Sequence, residues 1–181
     1  NLFSHIIGQI DNENNGISGI EKSFDKSLKH LNQDLKLTVD SNLQYLIREE
    51  LIKFQNIFKS IGSAAILMNS QNGEILSLIS LPDYDLNKRQ LLKNKNLINR
   101  ATKGVYELGS VFKTFTYALA LNEGLIDPDT EFKNLEKKIN CSKFSIGEYD
   151  NKIPSDLTAE QILIRSGNIG SVRIAQKAGE E

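Results

Sequence analysis

The stretch from residue 41 to residue 82 sets the tightest limit on the fold. Leu43, Leu46, Ile47, Leu51, Phe54 and Phe58 recur at helical spacing and predict one amphipathic helix, with Ser41 and Gln44 spaced as a capping box at its start. The pattern then changes period. Ala64 to Met68 is a continuous apolar run, Asn72-Gly73 is a strong hairpin turn signal, and Ile75 to Leu81 is a second apolar run ended by Pro82. A helix followed by an antiparallel hairpin is predicted. Just before them, Leu35, Leu37 and Val39 alternate with Lys36 and Thr38, the mark of a half-buried strand.

The remaining chain adds elements of the same mixed kind. Gly8, Gly16, Gly19 and the polar cluster Asp11 to Asn15 read as turns, and Ile20, Phe24 and Leu28 predict a short helix from about Gly19 to Leu31. Residues Asp83 to Lys103 are polar and too long for a simple connection, so they are expected to form an excursion on the surface or around a site. A helix is predicted from Ser110 to a cap at Gly124, and mixed turn chemistry with short strands at best from Asp127 to Ile153. Thr158 and Gln161 form a second capping-box spacing before a helix Ala159 to Arg165, and Ile169, Val172 and Ala175 mark a last helix.

Composition narrows the functions open to such a chain. With 39% hydrophobic and 25% charged residues over 181 positions, disorder, collagen and coiled-coil architectures are disfavoured. Lys and Arg total 22 against 23 acidic residues, so no overall field attracts nucleic acid or an anionic membrane. Cys141 is the single cysteine; with only His5 and His30 it makes a poor zinc set, and neither a metal nor a cofactor is expected. No run approaches the roughly 20 apolar residues that cross a bilayer, and the opening residues do not read as a signal peptide. The chain begins at Asn1 and stops at Glu181, and it is expected to be a fragment of a longer protein.

The residues that carry chemistry begin at Gly109. Ser110 follows it at a predicted helix start, and Lys113, three residues on, shares its face. Serine is a poor nucleophile until a base accepts its proton, and a lysine amine serves as that base when burial lowers its pKa. Val111, Phe112 and Phe115 are expected to supply the apolar surroundings, and the helix N-terminus supplies N–H groups where an oxyanion develops. Ser-x-x-Lys alone is weak evidence, since Ser23 and Lys26 repeat it within a charged amphipathic segment. Ser166-Gly167-Asn168, between two predicted helices, sets a hydroxyl and an amide two residues apart, where they serve either as a helix cap or as a proton relay and an amide facing one cavity. Its decoy, Ser70-Gln71-Asn72, is explained by the hairpin turn.

Taken together, Ser110-Val111-Phe112-Lys113 and Ser166-Gly167-Asn168 match two of the three motifs shared by penicillin-binding proteins and serine β-lactamases. The wider text resembles class B penicillin-binding proteins, most closely the septal cell-division type, through GISGIEKSFDKSL (Gly16 to Leu28), LTVDSNLQ (Leu37 to Gln44), LISLPDYDLN (Leu78 to Asn87) and NRATKGVYELGSVFKTFTYA (Asn99 to Ala118). This resemblance implies an α/β (α+β) fold, an antiparallel sheet flanked by helices. Residues 1–34 would be the end of a non-catalytic pedestal domain and residues 35–181 the N-terminal portion of the transpeptidase domain.

It further implies a peptidoglycan D,D-transpeptidase acting through an acyl-serine intermediate. Ser110 would be the nucleophile and one oxyanion donor through its N–H, Lys113 its base, Ser166 the proton relay to the leaving group, and Asn168 the residue that binds substrate and holds Lys113. Stem peptides and β-lactams would be the ligands, a glycosyltransferase and divisome proteins the partners, and an anchor outside this chain would hold the domain on the periplasmic face of the bacterial inner membrane. Gly167 departs from the small or hydroxyl residue often found at that position, and the third motif, Lys-Thr-Gly or Lys-Ser-Gly, is absent from all 181 residues. The chain alone is therefore expected to have little or no activity. Two rival readings remain at this point: a β-lactamase or β-lactam sensor of related fold, disfavoured by the pedestal-like Gly16 to Leu28, and a non-enzymatic divisome-binding relative, disfavoured by the joint presence of Ser110, Lys113, Ser166 and Asn168.

Overall fold

The computed structural model describes residues 1–30, 34–88 and 94–179. They form two compact units, Asn1–Tyr106 and Glu107–Glu181. The first unit opens with three short helices, α1 (Ser4–Ile7), α2 (Gly19–Ser23) and α3 (Asp25–His30). The single helix expected from Gly19 is thus broken at Phe24, and its last expected residue, Leu31, lies outside the described residues. Asp25 starts the new helix; its carboxylate accepts from Gly16 N–H (2.8 Å) and from Lys29 Nζ (2.9 Å).

Helix α4 (Ser41–Phe58) and the antiparallel hairpin β1 (Ser63–Met68) and β2 (Ile75–Leu81) form as predicted, in a register that pairs Ile66 with Leu78. Three local expectations are corrected. Residues 34–40 form no strand of a regular ladder; they run along β2, where Asp40 N–H donates to Leu76 O (2.9 Å) and Thr38 Oγ1 to Ile75 O (2.7 Å). The cap of α4 is Asp40 rather than Ser41, its carboxylate accepting from the N–H groups of Asn42 and Leu43.

Gln44 is no capping residue either. It is buried, and its amide completes the outer edge of β2: Leu78 N–H donates to Oε1 (2.9 Å), Nε2 donates to Leu78 O (2.8 Å), and Ser77 Oγ also donates to Oε1 (2.7 Å). A side-chain amide presents the same donor and acceptor pair as a neighbouring strand, so a glutamine can close an edge that a helix could not. Consequently the face of α4 turned to the hairpin carries hydrogen-bonding residues, with Gln55 accepting from Ser63 Oγ and Arg48 paired to Asp83 (2.7 Å), while Leu46, Phe54 and Phe58 of the apolar stripe are mostly exposed.

The excursion after β2 turns back onto the unit. Tyr84 is buried and donates to Ser4 O (3.1 Å), and the short helices α5 (Asn94–Leu97) and α6 (Arg100–Lys103) follow. Part of this expectation, residues 89–93, lies outside the described residues.

In the second unit a 3-10 turn (Gly109–Phe112) leads into α7 (Lys113–Asn122). Gly124, at φ +65°, ends α7 in a Schellman motif, with its N–H on Leu121 O and that of Leu125 on Ala120 O. Strand β3 (Glu131–Phe132) pairs with β6 (Leu157–Thr158), and between them β4 (Lys138–Cys141) and β5 (Phe144–Gly147) make an antiparallel hairpin. Both halves of the predicted Thr158–Gln161 capping box are formed at the start of α8 (Ala159–Ile164), and α9 (Asn168–Ala178) follows. The core joins Tyr117 and Ala120 of α7, Phe132, Leu157, Ile162 of α8, and Ile169 and Ile174 of α9.

Candidate active site

Four sequence-selected residues come from two places in the second unit. Gly109 takes φ +56°, a left-handed conformation that glycine adopts freely, and so turns the chain into the 3-10 segment that carries Ser110. Ser110 is exposed at the start of this turn; Val111 N–H donates to Leu108 O (3.2 Å), while Ser110 N–H has no acceptor among the described residues. Lys113 begins α7, and its backbone N–H closes the turn onto Ser110 O and Val111 O.

The Lys113 side chain reaches across to the turn between α8 and α9. Its Nζ donates to Ser166 O (2.6 Å), Asn168 Oδ1 (2.6 Å) and Ser166 Oγ (3.2 Å). These acceptors suit the three N–H bonds of an ammonium, and the Ser166 hydroxyl can instead donate to the lone pair of the neutral amine. Burial pushes the Lys113 amine below its ordinary value, opposed by the charge of Glu148. The apolar shield expected for Lys113 is corrected, because Val111, Phe112 and Phe115 are 60%, 59% and 65% exposed and the two rings pack on each other. Among the described residues Ser110 Oγ has no hydrogen-bond partner, so the structure brings Lys113 together with Ser166 and Asn168 and leaves Ser110 one turn away on the same segment.

Ser166 itself stands at φ +52°. It occupies the left-handed position of a Schellman motif that ends α8, with Ser166 N–H on Leu163 O and Gly167 N–H on Ile162 O. Glycine is the usual residue there, so a serine carries backbone strain at this position. At Gly167 an added Cβ would meet its nearest atom at 3.5 Å, ordinary contact, so this position tolerates the larger residues that the motif often holds.

Asn168 is fixed on every side. Its Nδ2 donates to Gly147 O (2.8 Å), while its backbone N–H and that of Ile169 donate to the two carboxylate oxygens of Glu148 (2.7 and 2.9 Å). Sequence reasoning missed Glu148, which lies in a stretch read as turns; only the β4–β5 hairpin carries it to the start of α9. The decoys differ. Ser23 and Lys26 are exposed on α2 and α3, and Asn72 Oδ1 accepts from Glu74 N–H (3.0 Å) within the hairpin turn.

The chain matches a known family. The penicillin binding protein transpeptidase domain matches residues 63–181. The chain belongs to that family. Among curated relatives, the probable peptidoglycan D,D-transpeptidase FtsI of Caulobacter vibrioides is 29% identical over 97% of this chain and 30% of its own length. The probable peptidoglycan D,D-transpeptidase PenA of Neisseria flavescens is 30% identical over 91% of this chain and 40% of its own. This chain thus spans about a third of the curated relatives it matches. Penicillin-binding protein 3 of Mycobacterium tuberculosis shares the fold, at a TM-score of 0.84 and 22% identity over 99% of this chain and 43% of that one. The penicillin-binding-protein transpeptidase fold expected from the sequence is therefore the fold of this chain. No helix among the described residues is long and apolar enough to cross a membrane.

Proposed function

We propose that this chain is a fragment of a class B penicillin-binding protein, residues 1–34 ending its pedestal and residues 35–181 forming the N-terminal portion of its transpeptidase domain, and that the whole protein cross-links peptidoglycan stem peptides at the septum. The observation that carries this reading is the Lys113 amine, desolvated and hydrogen-bonded to Ser166 and Asn168, one turn from an exposed Ser110. Lys113 takes the hydroxyl proton as Ser110 Oγ attacks the penultimate D-Ala carbonyl, and the oxyanion forms at the Ser110 N–H. Ser166 passes a proton to the departing amine of the terminal D-Ala. The amine of a neighbouring stem then attacks the acyl-serine, loses its proton and frees Ser110.

A β-lactam acylates the same serine and stays bound. The third motif, which the 181 residues lack, completes substrate-carboxylate recognition elsewhere in the whole protein, and the exposed apolar residues of α4 support a covering segment there. The isolated chain has little or no transpeptidase activity on this reading. Divisome proteins, a glycosyltransferase and a membrane anchor with the domain on the periplasmic side belong to the same proposal.

Labelling the whole protein with a fluorescent penicillin tests it. A covalent adduct that Ser110→Ala abolishes is expected; no Ser110-dependent adduct would favour a binding-only relative, and rapid penicillin turnover would favour a β-lactamase.

A further inference from the structure

The geometry points to Glu148 as a positioning residue for the Ser110 acylation machinery, one that holds Asn168 in place and sets the charge environment of Lys113. This rests on the function proposed above. Gly167, at the N-cap of α9, has no side chain to satisfy the free N–H groups of the helix start. Glu148, 20 residues upstream of Asn168, supplies both acceptors instead, one carboxylate oxygen to Asn168 N–H and the other to Ile169 N–H. Its own backbone is fixed, since Glu148 N–H donates to Lys137 O (3.1 Å) just beyond the β4–β5 ladder. The preceding residue, Gly147, takes the Asn168 side-chain amide through its carbonyl, which turns Oδ1 toward Lys113. Two consecutive residues of one strand end therefore set both the backbone and the side chain of Asn168.

A helix cap alone would require only an acceptor. The carboxylate adds a negative charge near an amine that must be neutral to act as a base. Lys113 faces Ser166 and Asn168 from the α8–α9 turn, which are uncharged, and Glu148 from the end of β5; on α7 the next turn brings Tyr117, which stays protonated at neutral pH. Glu148 opposes the effect of burial on Lys113, so removing its charge makes the amine easier to deprotonate.

The test is the second-order rate of fluorescent-penicillin acylation of the whole protein from about pH 5 to about pH 10, for wild type, Glu148→Gln and Glu148→Asp, with thermal unfolding in parallel. Glu148→Gln is expected to lower the plateau roughly ten- to hundredfold through misplacement of Asn168 and to move the acidic limb to lower pH. Glu148→Asp keeps the charge, so it is expected to leave the limb in place and lower only the plateau. A Glu148→Gln profile with the wild-type limb, whatever its plateau, overturns the inference and leaves a structural cap. Should Glu148→Gln fail to fold, Glu148→Asp decides: a wild-type plateau overturns it. Failure of the wild type to be labelled at Ser110 would sink the proposed function instead, a result distinct from either.

Discussion

Ser166 holds φ +52° while its hydroxyl accepts from Lys113 Nζ, so one residue combines backbone strain with a polar contact. Strain of this kind persists where the surrounding structure over-determines it, here through the two Schellman hydrogen bonds that end α8. Ser166→Gly is expected to raise the stability of the whole protein by about 1 kcal/mol while lowering penicillin acylation, because the hydroxyl proposed as the relay is lost. Ser166→Ala keeps the strain and loses the hydroxyl, so it should lose acylation without the gain in stability. Thermal unfolding and acylation rates for the pair check this, and equal stability of the two variants would count against it. At this scale the sequence was legible for residue identity: Ser110, Lys113, Ser166 and Asn168 stand out by type and spacing. It was silent on the left-handed backbone of Ser166, since that conformation is usually marked by a glycine.

Helix α4 shows why element-scale reading succeeded for existence and failed for orientation. The apolar repeat of Leu43, Leu46, Ile47, Leu51, Phe54 and Phe58 marks a helix correctly, yet the face turned to the hairpin is fixed by the hydrogen bonds of Gln44 with β2, of Gln55 with Ser63 of β1 and of Arg48 with Asp83 after β2. A buried amide that completes a sheet edge is worth more than its apolar neighbours because the backbone groups it serves cannot be left unpaired. Gln44→Met conserves volume but orphans Leu78 N–H and Leu78 O, and should destabilise the whole protein by about 2–4 kcal/mol, several times the cost of an exposed substitution such as Tyr45→Ala. Chemical denaturation of both variants measures the difference, and similar losses would show that the edge is satisfied in another way. Capping boxes obeyed the same logic. Thr158–Gln161 was readable because its two hydrogen bonds are local, whereas Ser41–Gln44 was misread because Gln44 is drawn away by a strand more than 30 positions along the chain.

On the scale of the whole molecule, pH dependence reports on the core beneath the site. Tyr117 of α7 is buried, and burial, opposed by the neighbouring Ser171 hydroxyl of α9, pushes its hydroxyl up from 10.0 to about 12. The folded state keeps this proton after the unfolded state has lost it. Stability is therefore full below pH 10 and falls by about 1.4 kcal/mol per pH unit between 10 and about 12. Tyr117→Phe should flatten that decline in alkaline unfolding curves; an unchanged slope would place its origin elsewhere. Lys113 acts in the opposite sense. Its lowered pKa means that the folded state resists its charge, so this penalty is present at low pH and is relieved as pH rises through the folded value, the direction in which acylation by a neutral amine also increases. The sequence by itself determined the family, the helix and hairpin order and the choice of four candidate site residues, because spacing along the chain records local periodicity and motif chemistry. Only the tertiary structure decided that Gln44 serves as a strand edge, that Lys113 is desolvated by the α8–α9 turn rather than by Phe112 and Phe115, and that Glu148 meets Asn168, because each depends on groups distant in sequence whose hydrogen bonds are satisfied only when the chain folds back on itself.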